Sequence, residues 1–419
     1  MSAHTLSPVG GAFLEDIVAR PDDDAPRLIY ADWLEERGDP RGEFIRLQCA
    51  LAGMTVGDPR RPALQERERQ LLARHAHDWC APLGLEPGQC TFRRGFVEVV
   101  EMHAEQFVAS AETLFRAAPV RQIHFLHATA SIAELAACPW LTRLRTLDLS
   151  GNALRDSGAA VLAASPHLSG LAALDLGGCE IHQKGAEHLA NAVGLSRLGT
   201  LGLAGCGIGA AGLRAILYSP ALRRLTALDV RGNHQCWVTP NRGEPWVTLT
   251  ETNVKNDGVR LLAESPESAR LEEVDLSLNQ VEDSGWDILL NSPHLSGVRR
   301  LNVFETDHVY AEESPEEPGT AGLPYTVNEE IADVLCVSIP GGRRRPLGRH
   351  PGDPRFTAPP CTLDEEVVRR LRQSFGPRVT FDPPSVRFGA HFRGTREDWY
   401  GRRAFLELRP TRGGNRDAR

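Results

Sequence analysis

Lysine and long apolar runs are both scarce in this 419-residue chain. Lys184 and Lys255 are the only lysines, and the net charge of -8 at pH 7 argues against a nucleic-acid binder over its whole surface. No stretch approaches the roughly 18 uninterrupted apolar residues of a membrane span. Residues 1–11 have no basic start followed by an apolar run, so we expect neither a signal peptide nor a membrane partner.

Regular cysteine spacing is absent as well. The nine cysteines are odd in number and show no metal-ligand spacing. This pattern favours reduced thiols in a cytoplasm over a disulfide framework, and it predicts no metal site. Hydrophobic residues make up 41% of the chain and charged residues 24%, which is enough for a folded core.

The motifs of common enzymes are missing too. The sequence has no phosphate-binding glycine loop with a lysine, no HExxH, no paired CxxC and no nucleophile elbow. The histidines are dispersed, and Cys336 and Cys361 remain candidates for a catalytic thiol. We expect a protein that is not an enzyme and uses no cofactor.

A repeat with a period of 27 residues is the main positive feature. Its units begin at Leu144, Leu171, Leu198, Leu225, Leu271 and Val298. The one longer spacing, of 46 residues, is a period plus an insertion of 19. Each unit opens with the pattern LxxLxL, whose last two apolar residues share one strand face and point into a core.

Two further positions recur within the units. Asn or Cys stands eight residues after the start, at Asn152, Cys179, Cys206, Asn233 and Asn279. We predict that these side chains hydrogen-bond neighbouring backbone as a ladder. A glycine follows in every case, at Gly158, Gly185, Gly212, Gly258 and Gly285. We predict that it lets each helix approach its neighbour closely.

One strand and one helix cannot bury their own apolar faces, so the units must stack. The pattern resembles the ribonuclease-inhibitor-like class of leucine-rich repeats over residues 144–304. The resemblance implies an α/β fold, a leucine-rich-repeat solenoid shaped as a horseshoe with parallel strands inside and helices outside. Two looser units begin at Phe96 and Val120, each 24 residues before the next, and residues 363–382 complete the unit begun at Val298, with Val367 in place of the glycine.

The N-terminal segment has apolar residues at helical spacing, and a Gly/Pro turn, RGDPRGEF, separates two of its helices. A further helix is expected from Arg67 to Trp79. Residues 20–24, residues 28–48 and the segment RRGFVE from Arg93 resemble the bacterial repeat-companion domain, a short module found beside leucine-rich repeats. We interpret the acidic run Asp22–Asp24 as a solvated cap rather than a cation site.

These patterns divide the chain into a helical unit at residues 8–50, a linker with a helix at 51–91 and a repeat solenoid at 92–310 with an insertion at 234–252. A second insertion at 311–361, which we expect to be partly disordered, precedes the end of the last repeat at 362–381 and a cap with a basic tail at 382–419.

Residues that alternate with the core leucines should face the concave side of such a solenoid. We predict that a protein partner binds there, at Asp148, Asp175, Asp229, Arg231, Glu273, Asp275, Arg300 and Phe304. The recurring aspartate would complement a basic partner. Alternatively, it is a structural residue of this repeat class.

Two other segments are candidate binding elements. Trp237 and Trp246 lie in the first insertion, where they either contact a partner, as tryptophan often does at binding hot spots, or cover the edge of the solenoid. The tail from residue 382 has nine arginines with interspersed aromatic residues. It could touch RNA or single-stranded DNA, although we favour a capping hairpin. The leading hypothesis is therefore a cytoplasmic, non-catalytic sensor or adaptor scaffold for a protein partner. The alternative is a nucleic-acid-associated protein that uses the arginine-rich tail and insertion.

Overall fold

The computed structural model describes residues 8–55, 57–240, 247–277, 279–303 and 363–381. The chain forms two compact units. Unit 1 comprises Met1–His127 and Ala137–Asp148, and unit 2 comprises Ala128–Ala136 and Leu149–Arg419. Both units combine helices with parallel strands.

Unit 1 begins with helices α1 (Pro8–Ala19), α2 (Ala25–Glu35), α3 (Pro40–Gly53) and α4 (Arg61–Cys80). Proline stands in the first turn of α2, α3 and α4, where its missing N–H leaves no helical bond unmade. Asp39 caps α3 by accepting the backbone N–H of Arg41 at 3.0 Å. The helix α4 includes the expected helix from Arg67 to Trp79.

A hairpin connects these helices to the strands of unit 1. β1 (Cys90–Arg93) pairs antiparallel with β2 (Phe96–His103) through a turn in which Gly95 has a φ of +86°. A Cβ at Gly95 would lie 2.8 Å from the Cα of Ile45 in α3. Only glycine therefore fits both the backbone conformation and the space.

Parallel strands follow, namely β3 (Gln122–Leu126) after helix α5 (Ala104–Ala117), and then β4 (Thr146–Asp148). The offset between β2 and β3 is 23 residues rather than the predicted 24, with Val100 opposite Ile123 and Met102 opposite Phe125. A shift of one residue would turn every side chain of β2 to the other face. The observed register keeps these buried apolar residues together.

A buried ion pair joins helix α2 to the β1–β2 hairpin. The side chain of Arg27 is fully buried, and it donates to Glu98 Oε1 at 2.8 Å and to the carbonyl oxygen of Pro21 at 2.7 Å. Arg94 donates to the same two oxygens at 3.1 and 3.0 Å. The loop before α2, the helix itself and the β1–β2 hairpin are thereby held as one network.

Asp22 is the most exposed residue of the acidic run Asp22–Asp24, and it also makes contacts. The side chain of Asp22 is 70% exposed, and one of its oxygens lies 3.3 Å from Arg121 and 3.3 Å from Arg145. These exposed pairs contribute little free energy individually. They nevertheless place the acidic turn beside the residues that precede β3 and β4.

Unit 2 is built from the repeats. Its elements are α6 (Ile132–Ala137, of which the last residue belongs to unit 1), α7 (Arg155–Ala163), β5 (Ala173–Asp175), α8 (Gln183–Ala190), β6 (Thr200–Gly202), α9 (Gly209–Leu217), β7 (Ala227–Asp229), β8 (His234–Pro240), β9 (Val247–Asn253), α10 (Lys255–Glu264), β10 (Glu273–Asp275), α11 (Asp283–Leu290), β11 (Arg300–Asn302), α12 (Glu365–Phe375) and β12 (Val379–Thr380). The strands pair in parallel in the order β5-β6-β7-β10-β11-β12. One buried apolar row crosses them at Leu174, Leu201, Leu228, Val274, Leu301 and Val379.

The first insertion contains β8 and β9, which form a separate antiparallel pair. After the second insertion, α12 contacts α11 and β12 pairs with β11. Val367, which replaces the glycine of the other units, is buried together with Leu371. The segment 363–381 therefore packs as the continuation of the repeats.

The predicted ladder of asparagines and cysteines is confirmed. Asn233 donates to the carbonyl oxygens of Leu203 at 2.6 Å and Val230 at 3.0 Å, and it accepts the N–H of Ile208 at 3.1 Å. Cys206 keeps one of these bonds, since its thiol donates to a carbonyl oxygen of the preceding repeat at 3.0 Å. The ladder satisfies buried backbone groups that would otherwise destabilise the stack.

Gly185 shows why each helix carries a glycine near its start. A Cβ there would lie 2.5 Å from Ile181 Cγ2 and 2.7 Å from Asp156 Oδ1 of the preceding repeat. The same oxygen accepts the backbone N–H of Gly185 at 2.8 Å. The predicted close approach is thus confirmed at this position.

Among the described residues, none of the helices has both the length and the apolar character needed to cross a bilayer.

Candidate functional site

The strand face opposite the core leucines of unit 2 carries two rows of side chains, which we call the open strand face. Several of these residues are themselves buried, namely Ala173, Thr200, Ala227 and Asp229. The first row is Asp175, Gly202, Asp229, Asp275 and Asn302. The second row is Ala173, Thr200, Ala227, Glu273 and Arg300. Five of the residues predicted to bind a partner therefore lie on this face.

Each aspartate of the first row folds back onto the end of its own strand. The Oδ1 atom accepts the backbone N–H two residues further on, with Gly177 at 2.9 Å, Arg231 at 3.1 Å and Ser277 at 3.0 Å as the donors. This is the local turn that Asp and Asn side chains commonly form. It gives the repeated aspartate a structural role, but one that an uncharged asparagine could also fulfil.

Asp229 lies at the centre of the row. A Cβ at Gly202 would be 2.6 Å from Asp175 Oδ1, so the carboxylate of Asp175 occupies the space over Gly202, the residue beside Asp229. Asp275 lies directly opposite Asp229 on the other side. We call Asp175, Asp229 and Asp275 the aspartate cluster.

Arg231 accompanies two of these carboxylates. Arg231 Nη2 lies 3.0 Å from Asp229 Oδ2, and Nη1 lies 3.8 Å from Asp275 Oδ2. Burial raises the pKa of Asp229 to about 7; Arg231 opposes this rise, while Asp275 and Asp175 add to it. The ionised form of Asp229 is therefore disfavoured, and its carboxyl group titrates near neutral pH.

The second row carries one acidic and one basic side chain, and the two lie next to each other. Glu273 and Arg300 lie opposite each other in the register, 3.4 Å apart, with 24% and 46% of their side chains exposed. They offer one carboxylate and one guanidinium beside the aspartate cluster. The open strand face therefore presents both charge signs and is not uniformly acidic.

Asp148 lies in unit 1, where it is 3% exposed. Its row contains Glu101 and His124, and His124 Nδ1 is 3.1 Å from Glu101 Oε2. The sequence alone indicates a function for neither residue. The 24-residue spacing between units would have identified His124, but only the 23-residue register places Glu101 beside it.

The remaining predicted residues are less defined. Trp237 lies in β8 opposite Thr250 of β9. Trp246 and Phe304 lie outside the described residues. No group of three or more His, Cys, Asp or Glu within the described ranges is arranged to hold a metal ion. The chemistry that the aspartate cluster offers is the binding of a cationic group.

Comparison with known proteins supports the repeat. A family model described as Leucine Rich repeat matches residues 141–163 and 268–286. These segments contain the strands β4 and β10, the start of α11 and all of α7. No curated protein matches the chain. The chain therefore contains leucine-rich repeats.

Proposed function

We propose that this leucine-rich-repeat chain is a non-catalytic scaffold of the sensor or adaptor type, which binds a protein partner through the open strand face. The buried Asp229, held between two further aspartates with one arginine, carries the proposal. A lysine or arginine of the partner would bring a further positive charge to these carboxylates. Leucine-rich repeats commonly mediate protein–protein interaction, which supports this class of function.

The cluster gives the proposed interaction a defined pH dependence. A cation set against Asp229 stabilises its ionised form and lowers its pKa. Binding would then release a proton, so affinity should increase as the pH rises from 6 to 8. An interaction that avoids the cluster would lack this dependence.

Site-specific crosslinking in a lysate of the source organism tests the proposal. A photoreactive benzoylphenylalanine replaces Glu273 on the open strand face or, as a control, the exposed Lys184 of α8. We expect a protein adduct from position 273 only, and its yield should fall when Asp175 and Asp275 are both changed to Asn. An equal adduct from both positions, or a yield that ignores the double variant, would refute the proposal.

The proposal also includes the identity of the N-terminal domain and the cellular location of the protein. We assign the N-terminal helices to the bacterial repeat-companion domain and the protein to the cytoplasm. The Arg27 network, which joins residues 20–24 to the segment from Arg93, and the free cysteines among the described residues support this. The nucleic-acid alternative concerns residues 382–419, outside the described residues. Nucleic acid that co-purifies and is stripped by salt would favour it.

A further inference from the structure

A basic segment without acidic residues crosses two repeats of unit 2. Residues 188–228 contain no Asp or Glu, although they include Arg197, Arg214, Arg223 and Arg224. The chain as a whole carries a net charge of -8. This segment therefore carries a net positive charge, whereas the chain as a whole is negatively charged.

The repeat register brings Arg197 and Arg224 to the edge where the strands begin, and Arg214 lies in α9. The N–H of Thr226 donates to the carbonyl oxygen of Gly199 at 2.8 Å, and these two residues occupy equivalent places in consecutive repeats. Arg224 is consequently the lateral neighbour of Arg197. At the same edge, the hydroxyl of Ser219 donates to the carbonyl oxygen of Ala190.

Two apolar side chains are exposed beside the arginines. Val193 is 80% exposed and Tyr218, which precedes Ser219, is 49% exposed. The guanidinium of Arg214 lies 5.6 Å from the centre of the Tyr218 ring. We call these residues the basic edge patch: Val193, Arg197, Arg214, Tyr218, Arg223 and Arg224.

The charge of the patch is not neutralised within the described part of the chain. Arg197, Arg223 and Arg224 are exposed and form no ion pair there. Around the starts of the repeats at Leu271 and Val298, two acids of the same edge are already paired. Arg270 lies 2.9 Å from Glu267, and Arg299 lies 3.2 Å from Glu272.

We propose that the basic edge patch docks an acidic peptide segment that carries a bulky apolar side chain, separately from the open strand face. The arginines would pair with carboxylates of the peptide, and its apolar side chain would cover Val193 and Tyr218. A nucleic acid fits the patch less well, because such complexes typically involve roughly 6 to 10 phosphate contacts. The patch offers four arginines.

Peptide display on the full-length chain tests this assignment. Random 12-residue peptides are selected for binding to the wild type and are then measured against R223S/R224S. The control is R299S, which removes an exposed arginine that is already paired with Glu272 at the same edge. We expect selected peptides rich in Asp and Glu with one aromatic or large aliphatic residue. Their binding should weaken roughly tenfold in R223S/R224S, since each exposed ion pair contributes up to about fivefold, and should be unchanged in R299S.

Other outcomes would overturn the proposal. Selection of no peptides, or of peptides without acidic enrichment, would show that the patch has no such ligand. Equal binding to the wild type and R223S/R224S would place the peptides elsewhere. If an oligonucleotide of 20 thymidines binds in an Arg223- and Arg224-dependent manner while the peptides do not, the patch is a nucleic-acid surface. The variants leave the aspartate cluster intact, so failure here is distinguishable from failure of the open-face proposal.

Discussion

Ionisation of Asp229 should destabilise the folded protein as the pH rises. Its pKa is about 7 in the structure against an ordinary value of 3.8, and each pKa unit corresponds to about 1.4 kcal/mol. Because the pKa is raised by folding, the stabilising contribution is complete below pH 3.8 and is lost as the pH increases through 7. The full loss is on the order of 4 kcal/mol.

The change Asp229→Asn removes this titration and keeps a side-chain oxygen for the N–H of Arg231. Between pH 5 and pH 8, the free energy of unfolding of the variant minus that of the wild type should grow by about 2 to 3 kcal/mol. Urea titrations at pH 5, 6, 7 and 8 measure this difference. Any pH-independent effect of the substitution does not affect this growth, and the ion pair with Arg231 is already contained in the pKa of Asp229.

Two further variants sharpen the test. Asp275→Asn removes a neighbouring negative charge and should lower the pKa of Asp229, so the pH-dependent loss of stability should become smaller. Asp257→Asn changes an exposed carboxylate of α10 and should leave the loss unchanged. If Asp229→Asn and the wild type respond equally to pH, the carboxylate of Asp229 is not destabilised by burial and the reasoning fails.

Three other changes test the structural roles described above by urea titration at one pH. Asn233→Ala should lower the free energy of unfolding by about 3 kcal/mol, since three buried backbone groups lose a partner at about 1 kcal/mol each; Asn233→Cys should lower it by about half as much. Gly185→Ala should destabilise by about 2 kcal/mol through overpacking, whereas Gly11→Ala, where a Cβ meets nothing within 4 Å, should stabilise by up to about 1 kcal/mol. Arg27→Met should cost up to about 3 kcal/mol because it removes the buried partner of Glu98 and leaves the more exposed Arg94, and adding Glu98→Gln should recover part of that loss. Equal effects within any matched pair would contradict the corresponding role.

The repeat unit could be predicted from the sequence because its physical requirements recur at fixed spacing. Five copies of the Asn or Cys position and of the glycine give the same constraint five times, and the contacts of Asn233 and Gly185 confirm both roles. The network of Arg27 and Glu98 could not be predicted in the same way. These residues are 71 positions apart and belong to no repeat.

The register of β2 was wrong by one residue for a related reason. The predicted offset of 24 residues counts from Phe96, the first residue of β2. However, β2 is eight residues long and also pairs with β1. Several registers place apolar residues on a core face of so long a strand. Only the three-dimensional pairing distinguishes them, and it moves Glu101 beside His124.

The raised pKa of Asp229 bears on whether the aspartate cluster serves the fold or a partner. The same position of the repeat holds glycine at Gly202 and asparagine at Asn302, so the fold does not require a negative charge there. The local hydrogen bond of Asp229 needs only a side-chain oxygen. The cation binding proposed above would give a function to this buried carboxylate, whose ionisation destabilises the folded state near neutral pH. Asp229→Asn should accordingly gain stability at pH 8 while losing affinity for a basic partner. A variant that gains stability and binds the partner as well as the wild type would show that the charge of Asp229 contributes nothing to recognition.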